Sequence, residues 1–224
     1  MKILDCTLRD GGYINNWRFN DKFIDNYINI TNKYNDLIEY IEIGFINIKK
    51  EYKNELVGDL RNLSLSDIEM FKNKSKCKIA IMADLNNINM ELINNPELIK
   101  NIDLIRIAFH KKDLDKSILL CVKLKKMGYK VSLNIMATTN YTKDELINLI
   151  HKVSKYNFDI IYIADSYGSL NQIALSNMIN IIKAHETKIG IHLHNNMQNA
   201  ISNFNSIQNN QNINLIDTTM FGMG

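Results

Sequence analysis

Leu104-Ile105-Arg106-Ile107-Ala108-Phe109, a polar break at His110, then Leu114, Ile118, Cys121 and Val122 at helical spacing, then a second apolar run from Lys130 to Met136: this stretch decides the fold. The first run is short and almost continuously apolar, as a strand covered on both faces is. Lys111 to Lys126 is the densest basic stretch of the chain, yet its apolar residues recur every three or four positions. It reads as a helix with one solvated face. Strand, covering helix and strand in that order make a βαβ unit, whose strands run parallel.

The unit repeats outward in both directions. Runs rich in Ile, Val and Leu fall at Lys2 to Thr7, Tyr40 to Phe45, Lys78 to Ala83, Leu104 to Phe109, Lys130 to Met136, Ile160 to Ala164, Ile189 to Leu193 and Leu215 to Thr218. Their starts lie roughly 25 to 40 residues apart, the spacing of βα units. Helical periodicity fills the gaps, as in Leu146, Ile147, Leu149, Ile150 and Val153, and capping-box pairs are read at Ser66 with Glu69, Thr142 with Glu145 and Ser169 with Gln172. Eight such units predict an α/β fold of the (β/α)8 TIM-barrel type, as a single domain over residues 1–224. An open doubly wound sheet is the alternative, weakened by the absence of Gly-x-Gly-x-x-Gly after the first run. The chain stops at Phe221-Gly222-Met223-Gly224, at the tip of the eighth strand with no helix after it. A barrel truncated there is expected, since the missing helix would leave apolar surface bare.

Composition narrows the classes. A net charge of +3 spread over 224 residues argues against nucleic acid as a partner. No apolar run approaches the roughly 18 residues of a membrane span, and Met1-Lys2-Ile3-Leu4-Asp5 turns polar before a signal-peptide core could form. A soluble, cytoplasmic protein with no membrane partner is predicted. Cys6, Cys77 and Cys121 show no Cys-x-x-Cys spacing and are expected as buried, reduced thiols. The 33 asparagines fall largely between the periodic segments and are read as loop filler.

In a barrel the chemistry sits at the carboxyl ends of the strands. There the sequence places Arg9 and Asp10, Glu42, Asp84, Arg106 and His110, Asn134, Asp165, His192 and His194, and Asp217. In Ile189-Gly190-Ile191-His192-Leu193-His194 the two histidines are two apart in a strand, so both rings face one side. They either bond to each other and to Asn195, or share a divalent cation with Asp10 in a two-histidine, one-carboxylate set that leaves positions for water or substrate. Arg9 is either a donor aimed at charge developing on an oxygen or one half of a salt bridge to Glu42 or Asp165. Glu42 lies in an apolar strand, where a lone carboxylate is costly, and must meet Arg9, Arg106 or a metal's water shell. Arg106 fits a structural counter-ion, and His110 either a second proton carrier or a plain loop residue.

Leu4-Asp5-Cys6-Thr7-Leu8-Arg9-Asp10-Gly11-Gly12 resembles the opening signature of the divalent-metal TIM-barrel lyases and synthases. That superfamily joins 4-hydroxy-2-oxovalerate aldolase, hydroxymethylglutaryl-CoA lyase, isopropylmalate synthase and the pyruvate carboxyltransferase domain. Similar motifs follow at Ile41-Glu42-Ile43-Gly44, Ile105 to His110, Ala164-Asp165-Ser166, His192 to Asn196 and Asp217 to Gly224, so the likeness spans the chain. The aldolase is the member it resembles most.

The resemblance implies Asp10, His192 and His194 as metal ligands, with Mn2+ foremost and Mg2+, Co2+ or Zn2+ also fitting, and Arg9 as the cation that stabilises an enolate. It implies a class II aldolase that cleaves or forms a 4-hydroxy-2-oxo acid through a pyruvate enolate. Glu42, Asp165 and Asn134 are then second-rank neighbours of metal or substrate. A homodimer, or a dehydrogenase partner, is implied in the same way. Tyr13 stands where the aldolase carries a histidine base, so Tyr13 and His110 are the candidate proton carriers. The alternatives are a Claisen-type acyl-CoA lyase or synthase of the same superfamily, and a non-catalytic barrel that binds only a metal or a partner.

Overall fold

The computed structural model describes residues 1–48, 57–185 and 187–222. Eight strands, β1 (Lys2–Asp5), β2 (Ile38–Phe45), β3 (Lys78–Asp84), β4 (Leu104–Phe109), β5 (Val131–Ile135), β6 (Ile160–Asp165), β7 (Ile189–Leu193) and β8 (Ile213–Thr218), pair in chain order and close into a TIM barrel. The helices between them are α1 (Thr7–Asp10), α2 (Gly12–Asn15), α3 (Asp21–Lys33), α4 (Leu65–Lys74), α5 (Met90–Ile93), α6 (Pro96–Asn101), α7 (Leu114–Lys126), α8 (Lys143–Ser154), α9 (Gln172–Lys183) and α10 (Ala200–Ile207). Among the described residues no helix is long and apolar enough to cross a membrane.

Strands β4 and β7 match the predicted runs, β5 is one residue shorter at each end, and the others differ by one or two residues at one end. Helix faces follow the periodicity in the main: Ile147 of α8 is exposed, while Leu146, Leu149, Ile150 and Val153 are buried. Each such side chain contributes about 1.5–3 kcal/mol by leaving water. Two caps differ from the expected ones. The capping box of α4 is Ser64 with Asp67, not Ser66 with Glu69, and α9 is capped by Asn171, whose side chain accepts from the Ala174 amide, rather than by Ser169. Ser64 and Asn171 both have the extended backbone that an N-cap requires, and Ser66 lies inside α4. All three cysteines are buried, and burial pushes the Cys77 thiol up to about 11 and the Cys121 thiol to about 12. Those two are inert at neutral pH.

Two compact halves compose the chain, one from Lys2 to Arg106 with the residues from Thr218, the other from Ile107 to Asp217. A clasp recurs in both at the amino ends of odd-numbered strands. In the first half the Asp103 carboxylate accepts from the Ile79 amide and from Lys72 Nζ, both at 2.8 Å. In the second, Asp159 accepts from the Val131 amide at 3.0 Å and from Lys125 Nζ at 3.1 Å. Asn214 likewise accepts from the Ile189 amide at 3.0 Å.

Candidate active site and metal centre

The chain leaves β1 through a turn made by Asp5. Its buried carboxylate accepts from the Thr7 amide at 3.0 Å and from the Tyr27 hydroxyl at 2.8 Å. An acceptor reaching two residues along its own backbone ends a strand, which is why β1 stops at Asp5 and not at the expected Thr7. Burial and the Asp5 charge push the Tyr27 phenol well above its usual range. Thr7 to Asp10 then wind into the single turn of α1, with the Asp10 amide on the Cys6 carbonyl at 2.8 Å. Arg9 and Asp10 are thus consecutive helical residues, and their side chains meet in a buried ion pair.

Arg9 Nε also donates to Glu42 Oε2 at 2.7 Å, and Arg106 Nη1 lies 2.8 Å from the same oxygen. Glu42 is fully buried, so its charge is balanced by two guanidiniums at once, and Arg106 is the counter-ion expected of it. Burial works against the charge on Arg9, but Asp10 and Glu42 outweigh it and raise its pKa well above the ordinary guanidinium value. The salt bridge and the donor role are therefore not exclusive: the bridge fixes where the guanidinium points.

His194 falls one residue past β7, yet the two imidazoles still face each other with Nε2 atoms 3.0 Å apart. On its far side His192 Nδ1 sits 2.8 Å from Asp217 Oδ2, as the pairing of Ile191 with Ile216 requires. A carboxylate at Nδ1 keeps the proton there and leaves the Nε2 lone pair available, the usual support of a metal-binding histidine. Asn195 takes no part in that pairing; its side-chain oxygen accepts from the Ala200 amide at 3.1 Å.

Among the described residues, Asp10, His192 and His194 each offer one ligand atom, and these lie within 4.8 Å of one another. Cys6, His192 and Asp217 form a second such set. In the second set His192 turns Nδ1 to Asp217 Oδ2 and Cys6 Sγ donates to the Thr218 carbonyl at 3.3 Å. The first set fits an ion better. Two adjacent nitrogens about 2.1 Å from one ion stand about 3 Å apart, the separation of the two Nε2 atoms.

The remaining predicted residues lie on separate elements. Tyr13 lies on α2, half exposed, its ring edge-on to Trp17 at 4.8 Å between centroids and within electrostatic reach of Arg9. His110 is exposed just beyond β4 and belongs to neither ligand set among the described residues. Asn134 is buried in β5, where its amide oxygen accepts from Ser132 Oγ at 2.8 Å. Of the closing motif, Met223 and Gly224 lie outside the described residues. Two residues had no role in the sequence reading. Asp217 was visible as a polar residue beside the histidine strand, and its level on β8 was the available signal. Trp17, whose indole N–H donates to the Arg9 carbonyl at 2.8 Å, offered none.

The loop after β6 presses on the histidine segment. Asp165 accepts from the amides of Ser169 and Leu170, both at 3.0 Å, and holds Gly168 at φ +60°. A Cβ on Gly168 would stand 2.6 Å from the Asn196 nitrogen and 2.9 Å from the His194 oxygen. Gly168→Ala is expected to displace His194 and weaken divalent-cation binding by about tenfold. Gly128→Ala is the control: φ there is +97°, but a Cβ meets nothing within 4 Å, so it adds backbone strain without the push. Calorimetric titration of both variants with Mn2+ checks this, and equal affinities would remove the role given to Gly168.

A (β/α)8 barrel with its buried charges and paired imidazoles gathered at the carboxyl ends of the strands has the layout of a barrel enzyme. The HMGL-like family profile matches residues 1–224, and the chain belongs to that family. It is 26% identical over 208 residues to a 4-hydroxy-2-oxovalerate aldolase of Geobacillus genomosp. 3, covering 91% of this chain and 60% of the relative. A protein of the same name from Geobacillus thermodenitrificans is 24% identical over 208 residues, covering 90% and 58%. The chain thus spans about three-fifths of the curated relatives it matches. Among solved structures it is similar to the N-terminal domain of a presumptive aldolase from Bacteroides vulgatus, with a TM-score of 0.87 and 31% identity over 100% of this chain and 74% of the other. The carboxyl transferase domain of Rhizobium etli pyruvate carboxylase shares the fold, with a TM-score of 0.76 and 14% identity over 98% of this chain and 40% of that one.

Proposed function

We propose that this chain forms the catalytic barrel of a divalent-metal-dependent class II aldolase, which cleaves or forms a 4-hydroxy-2-oxo acid by way of the pyruvate enolate. The observation that carries the reading is the fixed guanidinium: Arg9 is buried, held by Glu42, and in contact with the carboxylate that joins His192 and His194. A divalent cation held by Asp10, His192 and His194, with Mn2+ as first choice, would supply Lewis-acid polarisation of the C2 carbonyl. Arg9 then donates to the C2 oxygen, and its bond strengthens as negative charge gathers there. Tyr13, as the phenolate, takes the proton of the C4 hydroxyl and becomes the neutral phenol, the C3–C4 bond breaks, and the aldehyde leaves. The electron pair of that bond becomes the enolate, and a proton returned to C3 gives pyruvate. Tyr13 is preferred to His110 because it lies on α2, the helix that directly follows Arg9 and Asp10.

The test is release of pyruvate from a panel of 4-hydroxy-2-oxo acids with Mn2+, Co2+ or Mg2+ present. No pyruvate from any of them would sink the reading. Tyr13→Phe keeps the ring and removes the hydroxyl, so it should abolish cleavage yet still exchange the C3 protons of added pyruvate, a step in which the C4 hydroxyl has no part. Wild-type cleavage by Tyr13→Phe, with loss in His110→Ala, would move the proton to His110.

A further inference from the structure

We infer that Trp17 is a positioning residue for the Arg9–Asp10 peptide, and through it for both side chains of the proposed site; the inference deepens the reading of Arg9 and Asp10 given above. The Arg9 carbonyl belongs to the peptide unit that joins the two residues. At the end of a helical turn such a carbonyl has no partner within the helix. Here the indole N–H of Trp17 donates to it at 2.8 Å, while at the other end of the same plane the Asp10 N–H donates to Cys6 at 2.8 Å. A plane held at both ends fixes the direction in which each Cα projects its side chain.

The surroundings are built to keep the indole there. Asn16 and Trp17 are consecutive left-handed residues, at φ 56° and 57°, a conformation unfavourable for side chains of this bulk and kept only where neighbours impose it. They are imposed by the Trp17 amide on the Gly12 carbonyl at 2.9 Å and the Gly58 amide on the Asn16 carbonyl at 2.8 Å. Both glycines are also spatial gaps: a Cβ at Gly12 would lie 2.1 Å from the indole nitrogen, and one at Gly58 would lie 1.9 Å from the Trp17 oxygen. Phe45 and Tyr13 meet the ring edge-on, and Arg61 lies 5.0 Å over it. Trp17 is 1% exposed, so it offers substrate nothing directly. Its effect passes through Arg9 and Asp10.

Trp17 is the single tryptophan of the chain, so it can be replaced throughout a preparation by benzothienylalanine, which keeps the bicyclic shape and carries sulfur in place of the N–H. That protein and Trp17→Phe are compared with wild type. The Asp10 amide should exchange its hydrogen at least tenfold faster in both, measured against the Ile41 amide, a readout that needs no metal. Mn2+ affinity should fall at least fivefold, and kcat at least tenfold with KM within twofold. If the sulfur analogue leaves Asp10 exchange unchanged, the inference is overturned, whatever Trp17→Phe does to stability. Faster exchange in a protein whose wild type takes up no Mn2+ would uphold the positioning of Asp10 and overturn the metal reading instead.

Discussion

With His192 replaced by alanine, the protein is expected to lose tight uptake of a divalent cation, and wild type to keep one ion per chain through dialysis. His192 is the residue on which two contacts converge: its Nε2 faces His194 at 3.0 Å, and its Nδ1 faces Asp217 at 2.8 Å. Removing it takes away one of the proposed ligands and one partner of the buried Asp217 carboxylate. Asp217→Asn tests the support separately. It keeps the shape but weakens the acceptor, and affinity should fall by about 10- to 100-fold rather than vanish. Elemental analysis after dialysis, with circular dichroism to confirm folding, decides the matter. Equal metal content in wild type and His192→Ala would sink the ligand assignment. Selectivity should favour Mn2+, Co2+ or Mg2+, because a mixed nitrogen and oxygen set with open positions does not impose tetrahedral zinc.

Arg9→Ala should lower kcat by at least about a hundredfold, the effect of losing one donor aimed at a developing oxyanion. The structure adds a second consequence. Arg9 balances Glu42 and Asp10, and removing one partner of a buried pair costs up to about 3–5 kcal/mol, moderated here because Arg106 stays beside Glu42. Rates must therefore be compared where thermal melting shows both proteins folded. Arg9→Lys should rescue poorly, since one ammonium cannot direct separate donors at Glu42 and Asp10 as the planar fork does. A near-normal kcat in either variant would return Arg9 to a purely structural role.

The barrel was legible because buried parallel strands and one-sided helices leave different periods in the sequence, and Leu104–Phe109 and Ile189–Leu193 show the strand pattern undiluted. Strand ends were less legible. β1 stops at Asp5 because of a bond from Asp5 to the Thr7 amide, a choice of local geometry that hydropathy does not record. In the site, the His-x-His spacing carried its own meaning, since two residues apart in a strand is one face. The need of Glu42 for a cation was equally plain, but not that two guanidiniums would share one of its oxygens. Trp17 was out of reach for a different reason. Its partner is a backbone carbonyl, and the room it occupies is made by Gly12 and Gly58, distant in sequence and individually unremarkable.

The clasps of Asp103, Asp159 and Asn214 bear on how freely such a barrel can change. In a parallel sheet a strand that slips by one residue turns its inside face outward. Each clasp ties one amide, of Ile79, Val131 or Ile189, to a side chain at the end remote from the chemistry. They act as index marks. With β7 located by the Ile189 amide, the height at which His192 emerges is set from below, and the loops at the mouth are left free to lengthen, shorten or be exchanged without moving it.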